Sequence, residues 1–342
     1  MGSTSRQLVY NTLKLKNTER APRQLWTLPW AELNEKAGLD GIKSDFPDDI
    51  IWDMPVSYRN KPKISGNPYE PGIYTDEWGC RFTGLKRGYV GEVKTPLIVS
   101  ENWEDADEVV RFPEELLTFE TDSVNDFCAM SDKFVLQTDF VRPFERMQFL
   151  RGSAELLMDI ASDNKGMLRF MQKLHSFNLR VMQAWAKTDV DALFMMDDWG
   201  AQNNLLINPE AWVRLFKPMY ADYCAVARQN NKKIFMHSDG NTLKIIPHLI
   251  DIGVDAANLQ LFCIGLDNLR EFKGAITFWG EIDRQWILPR GSAKQTGDAV
   301  KAVYDTLWDS GGCVAQCEFG PGARPENVRT VFEKWDELTT AG

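Results

Sequence analysis

The sequence predicts an α/β protein folded as a single (β/α)8 barrel with an N-terminal helical and hairpin extension. Three observations lead there. From about residue 105, short apolar runs alternate with helical stretches, the pattern of parallel strands joined by helical crossovers. Each run ends in polar, titratable residues, as expected where strand carboxyl ends converge on one mouth. No sharp linker divides the region, so one closed barrel is favoured over two doubly wound domains. Residues 1–100 are expected to form the extension packed on the barrel, and residues 101–342 its main body.

Residues 4–17 carry the spacing of a short amphipathic helix, and Arg23-Gln24-Leu25-Trp26 that of a first strand. Between 43 and 100 prolines alternate with glycines, and aromatic-rich segments suggest a hairpin lid with arms at 72–83 and 88–93. Gly88-Tyr-Val-Gly lacks the strand–turn–helix context of a dinucleotide loop. Beyond it, apolar runs begin at Phe134, Ala192, Ile234, Ala256, Ile276 and Cys313. Helices are expected near 105–111, 113–119, 143–150, 153–160, 164–186, 208–229, 241–252, 266–272, 292–309 and 325–338.

Composition narrows the function. The chain has 342 residues, 44% of them hydrophobic, enough for a sizeable core, and 26% charged. A net charge of −10 argues against a nucleic-acid surface, which needs a basic face. No apolar run approaches the roughly 20 residues of a membrane helix, and the first residues show no signal-peptide core. Six cysteines without a disulfide-rich pattern read as reduced thiols of a cytoplasmic protein. Twelve tryptophans leave some to line a pocket for a flat apolar ligand.

The stretch Lys232-Lys-Ile-Phe-Met-His-Ser-Asp-Gly240 organises the site. A buried strand ends in His237 and Asp239, whose alternation lets both face the mouth while Ser238 turns aside. Other strand ends supply Asp197, Glu281 and Cys317. An imidazole, a thiolate and carboxylates on neighbouring strand ends make a reasonable zinc set: His237, Asp239, Glu281 and Cys317. Asp197, Asp239 and Glu281 are the candidate proton-transfer or orienting groups. Each also has a plain structural reading, as a wall histidine, a turn aspartate, a helix cap or a buried hydrophobe. Trp78, in the hairpin, and Trp199 are the aromatic residues assigned to substrate.

Several ordered motifs resemble the uroporphyrinogen decarboxylase superfamily. They are the run from Asp198-Trp-Gly through Pro209-Glu-Ala-Trp to Lys217-Pro-Met-Tyr, then His237-Ser-Asp-Gly-Asn, Trp279-Gly-Glu-Ile-Asp283, and the closing Gly311-Gly-Cys with Pro325-Glu-Asn-Val. The resemblance spans about residues 90–340 and implies a TIM-type barrel with its site at the strand carboxyl ends. The decarboxylase's Arg-Gln-Ala-Gly-Arg-Tyr-type segment is replaced here by Arg20-Ala-Pro-Arg23-Gln-Leu-Trp, which disfavours tetrapyrrole decarboxylation. The superfamily's methylcobamide:coenzyme M methyltransferases hold zinc with a His-x-Cys pair and a distant cysteine. Here Asp239 stands at the middle position, which argues against a thiol substrate.

The resemblance therefore implies the corrinoid-dependent O-demethylase branch. Such an enzyme moves a methyl group from a methoxylated aromatic to a corrinoid protein, with zinc assistance. Its partners would be that corrinoid protein and a small aromatic methyl donor, and a homodimer is compatible with the family. Alternatives are a decarboxylase on the same barrel, a methylcobamide:thiol methyltransferase, and a corrinoid- or tetrapyrrole-binding barrel without chemistry.

Overall fold

The computed structural model describes residues 2–16 and 18–340. Eleven strands are found among them: β1 (Arg23–Thr27), β2 (Ile50–Ile51), β3 (Gly72–Thr75), β4 (Arg81–Gly84), β5 (Glu92–Val93), β6 (Phe134–Val135), β7 (Ala192–Met196), β8 (Lys233–Ser238), β9 (Ala256–Leu259), β10 (Thr277–Phe278) and β11 (Ala315–Phe319). Eight of them run parallel in a ring. β1 pairs with β11, β2 with β6, and β7, β8, β9 and β10 follow one another. Parallel bridges Leu136↔Ala192 and Phe278↔Cys313 join these groups, and Asp49 N donates to Arg23 O at 2.8 Å between β1 and β2. The architecture is the (β/α)8 barrel the sequence predicts, and two of its strands come from the first hundred residues.

Alternation along each strand sorts the core into two layers. Trp26, Ile50, Phe134, Phe194, Phe235 and Trp279 fill the barrel interior, while intervening residues such as Leu193 and Met236 pack outward under the helices. Fully burying a side chain of this kind contributes about 1.5–3 kcal/mol. The helix Ser5–Leu13 closes the floor. Val9 is fully buried there, the Tyr10 ring lies 5.1 Å from Phe134, and Tyr10 Oη donates to Asp191 at 3.0 Å. It is shorter than the expected 4–17, and residue 17 lies outside the described residues. With the floor closed, the opposite end, at the strand carboxyl ends, is the mouth.

The hairpin differs from its expected form. β3 and β4 pair with each other inside the first expected arm, and β5 adds a third antiparallel strand. The turn between them is set by Asp76, whose Oδ1 accepts from Trp78 N (3.1 Å) and Cys80 N (2.7 Å), with Gly79 at φ +89°. Most helices beyond residue 105 lie close to their expected spans, and Asn164 caps Lys165–Ala186 through Gly166 N and Met167 N. Expected helix 208–229 is two, Pro209–Leu215 and Lys217–Gln229, because Pro218 lacks the N–H that would continue the first. Helices Lys36–Asp45 and Thr121–Met130 had no clear sequence signal.

Candidate metal centre

Two strand ends meet at the mouth. Asp198 follows β7, His237 and Asp239 sit at the tip of β8, and their ligating atoms lie within 4.8 Å of one another. His237 Nε2 is 3.4 Å from Asp198 Oδ1 and 3.6 Å from Asp239 Oδ1. The loops are held together by close backbone approach. Gly200 N donates to Asp239 O at 2.9 Å, and a Cβ on Gly240, itself at φ +77°, would meet Gly200 O at 2.2 Å. Trp199 N donates to Ser238 Oγ and Asp239 N to Asp198 Oδ1, both at 3.0 Å. Only glycine at 240 permits this contact.

The imidazole is oriented from behind. Asn258 on β9 donates through Nδ2 to Trp279 O, which leaves its Oδ1 to accept from His237 Nδ1 at 2.6 Å. Nε2 is thereby directed at the two aspartates, the arrangement that positions a metal-binding histidine. Burial alone would lower the His237 pKa, but Asp198, Asp239 and Glu281 outweigh it and raise it to about 9. Burial likewise opposes ionisation of Asp198, but its bond to His237 prevails and holds it at about 2. Asp239 Oδ1 is buried without a hydrogen-bond partner among the described residues. A buried acceptor left open beside a histidine nitrogen and a second carboxylate is a donor set that fits a divalent cation.

Arg284, in the loop after β10, completes the charge pattern. Its guanidinium pairs with Asp239 Oδ2, with Glu318 at 2.6 Å and with Glu281 at 3.4 Å. Burial raises Glu281 to about 8 against the pull of Arg284, and it raises Glu318 too. Glu281 therefore carries a proton near neutral pH. Beside it opens a cavity of about 230 Å³, bordered by Gln260, Cys263, Arg284 and Trp286.

The sequence assignments divide accordingly. His237 and Asp239 come together as expected, and Glu281 stands nearby through Arg284. Asp197 and Cys317 do not reach the mouth. Asp197 turns outward and accepts from Phe144 N (3.0 Å), Glu145 N (2.8 Å) and Tyr220 Oη, capping the helix Pro143–Arg151. Cys317 packs outward in the apolar layer under the helices, and burial raises its pKa well above the ordinary thiol value. Alternation decides both cases: the inward neighbours are Asp198 and Glu318. Trp199 is fully buried, stacked 4.1 Å from Phe144, and does not face the mouth. Trp78 lines a separate cavity beside the hairpin.

Arg284 and the inward set Asp198 and Glu318 were missed by sequence reasoning. Extending the parity of Ala192, Phe194 and Met196 to Asp198, and of Val314 and Gln316 to Glu318, could have found the two carboxylates. No local pattern marks Arg284.

An aromatic floor lies below the centre. Trp26 stands 4.9 Å from the rings of both Trp52 and His237 and 5.5 Å from Trp279. Trp26 and Trp279 Nε1 share Gln24 Oε1, at 2.9 and 2.6 Å.

No curated protein matches this sequence. A methyltransferase from Methanosarcina mazei superposes over 98% of this chain and 99% of its own, at 13% identity and TM-score 0.61, a likeness of fold. An endo-β-1,4-xylanase from Gloeophyllum trabeum matches 64% of this chain and 81% of its own at 14% identity and TM-score 0.39, too loosely to support an argument. Residues 90–338 match the family described as Uroporphyrinogen decarboxylase (URO-D). The chain belongs to the uroporphyrinogen decarboxylase family.

Proposed function

We propose that the protein is a methyltransferase that passes a methyl group from a methoxylated aromatic to a corrinoid protein. The observation that carries this reading is the Asp198–His237–Asp239 cluster at the barrel mouth, with Asp239 Oδ1 unpartnered. These three residues would hold a zinc ion, which would supply Lewis-acid polarisation of the ether oxygen. The fold it shares with a methyltransferase agrees with the reading.

The chain's own residues have defined tasks. Asn258 fixes the His237 ring. Glu281, protonated near neutral pH, can give its proton to the departing phenolate. Arg284 balances the carboxylates around it. Trp26 and Trp52 form the apolar floor beneath His237 and keep water from that side of the centre.

The same geometry weighs against the other enzyme readings. His237 and Arg284 already pair with Asp198, Asp239 and Glu318, so the carboxylates of a polycarboxylate such as a porphyrinogen find no free cation here. Cys317 faces away, and Cys263 at the cavity border donates to Gln202 O at 3.1 Å, so neither thiol belongs to the Asp198–His237–Asp239 cluster.

The test is elemental analysis of purified protein followed by a methyl-transfer assay with a methoxylated aromatic and cobalt(I) corrinoid. About one zinc per chain, lost together with transfer in His237→Ala, is the expected result. Transfer that persists in folded His237→Ala would overturn the reading.

A further inference from the structure

Away from the metal centre, a cavity of about 310 Å³ lies between the hairpin and the segment following β6. Five rings line it: Tyr58, Tyr74, Trp78, Phe140 and Phe177. Its volume is at the small end of ligand pockets and gives room for one substituted ring. None of its lining residues borders the 230 Å³ cavity at the mouth.

The polar groups in its wall are already matched to one another. Arg146 is buried, pairs with Asp76 and with Glu77 (3.4 Å), and lies 4.9 Å over the Trp78 ring. Arg142 bonds Glu145 at 2.8 Å and covers Phe140 at 4.5 Å. Tyr58 Oη sits 2.7 and 2.8 Å from the two oxygens of Asp139 and donates to that carboxylate. An anion entering here would find no free cation, and a cation no free carboxylate, so each would be desolvated without compensation. A neutral ring meets no such penalty.

One polar group stands apart. Asn178 lines the cavity from the helix Lys165–Ala186, is only 4% exposed, and has the Tyr223 hydroxyl as a neighbour but no well-formed hydrogen bond from Nδ2 among the described residues. Buried side-chain amides are ordinarily satisfied, and rotation of this one offers either a donor or an acceptor. A ligand oxygen would meet that need.

We propose that this cavity is a second binding site, which takes a neutral planar aromatic of the phenol or aryl-ether class, stacked among the five rings with an oxygen on Asn178. It does not depend on the metal centre, nor on the methyl-transfer reading.

Calorimetric titration of the full chain with 2-methoxyphenol, without metal or corrinoid, tests it. Saturable binding is expected in the wild type and in His237→Ala, with benzoate at least tenfold weaker. Leu116→Trp and Ile64→Trp, both filling the cavity from its wall, should each weaken binding at least tenfold. Ile64 is 56% exposed, so that variant tests occupancy without burdening the core. The proposal is overturned by absence of saturable binding, by benzoate binding as well as the neutral ring, or by binding that survives both tryptophan variants. Binding lost in His237→Ala but kept in the tryptophan variants would place the ligand at the mouth and overturn it too. Failure of methyl transfer leaves each of these outcomes readable.

Discussion

Asp198 Oδ1 lies 3.4 Å from His237 Nε2, while Asp197, one residue earlier, turns its carboxylate onto the amino end of the helix Pro143–Arg151. The two aspartates are therefore expected to fail in different ways when changed. Asp198→Asn should lower zinc affinity at least tenfold, equivalent to about 1.4 kcal/mol, with the urea midpoint nearly unchanged. Asp197→Ala leaves two buried amide N–H groups unpaired and should cost about 2 kcal/mol of stability, with zinc stoichiometry retained. Equal zinc loss in both variants would contradict the assignment.

How much of this was legible in the sequence follows from the same pair. Apolar runs and helical spacing mark seven of the eight parallel strands and the barrel class, because burial on both faces of a parallel strand leaves a continuous signal. His237 and Asp239 were legible because β8 carries them at its tip on one parity. Asp197 and Cys317 were mistaken for site residues because a strand end marks chemistry but not direction, and one step of register flips every side chain. The two-residue strand β2 carries too few residues to display alternation at all. Arg284 was beyond reach, since a loop residue that joins Asp239, Glu281 and Glu318 is defined only by long-range contacts.

The outward placement of Cys317 gives a second expectation. Cys317→Ala removes one buried heavy atom from the layer under the helices and should cost about 1 kcal/mol. Zinc content and methyl transfer should match the wild type. Loss of the metal in a variant with an ordinary melting profile would return the thiol to the ligand set.

Arg284 competes with any cation for Asp239. Arg284→Met keeps the apolar stem but removes the guanidinium that joins three carboxylates. Zinc should bind about tenfold more tightly, because a nearby positive charge is removed and Asp239 is released. The same change should lower the melting temperature, since Asp239 and Glu318 lose their counter-ion in a largely buried setting. Weaker zinc binding in a folded variant would mean instead that Arg284 holds Asp239 in its ligating pose.

Stability should rise as the pH falls from 8 towards 5. Burial raises the carboxyls of Asp48 and Asp139 to about 6, above their ordinary value of 3.8. The folded state therefore binds these protons more tightly than the unfolded chain does. Their contribution is fully present below about 4 and is lost as the pH rises through 6. Asp48, half-buried, accepts from Leu25 N at 2.6 Å beside β1. Urea titrations at pH 5.0 and 7.5 read the effect directly. Asp48→Asn should flatten part of the difference, because an amide does not titrate and still accepts from Leu25 N. An unchanged slope in that variant, with the fold intact, would show that Asp48 ionises in the folded protein as it does in water, and would leave Asp139 and the more strongly raised Asp197 and Glu281 to account for the trend.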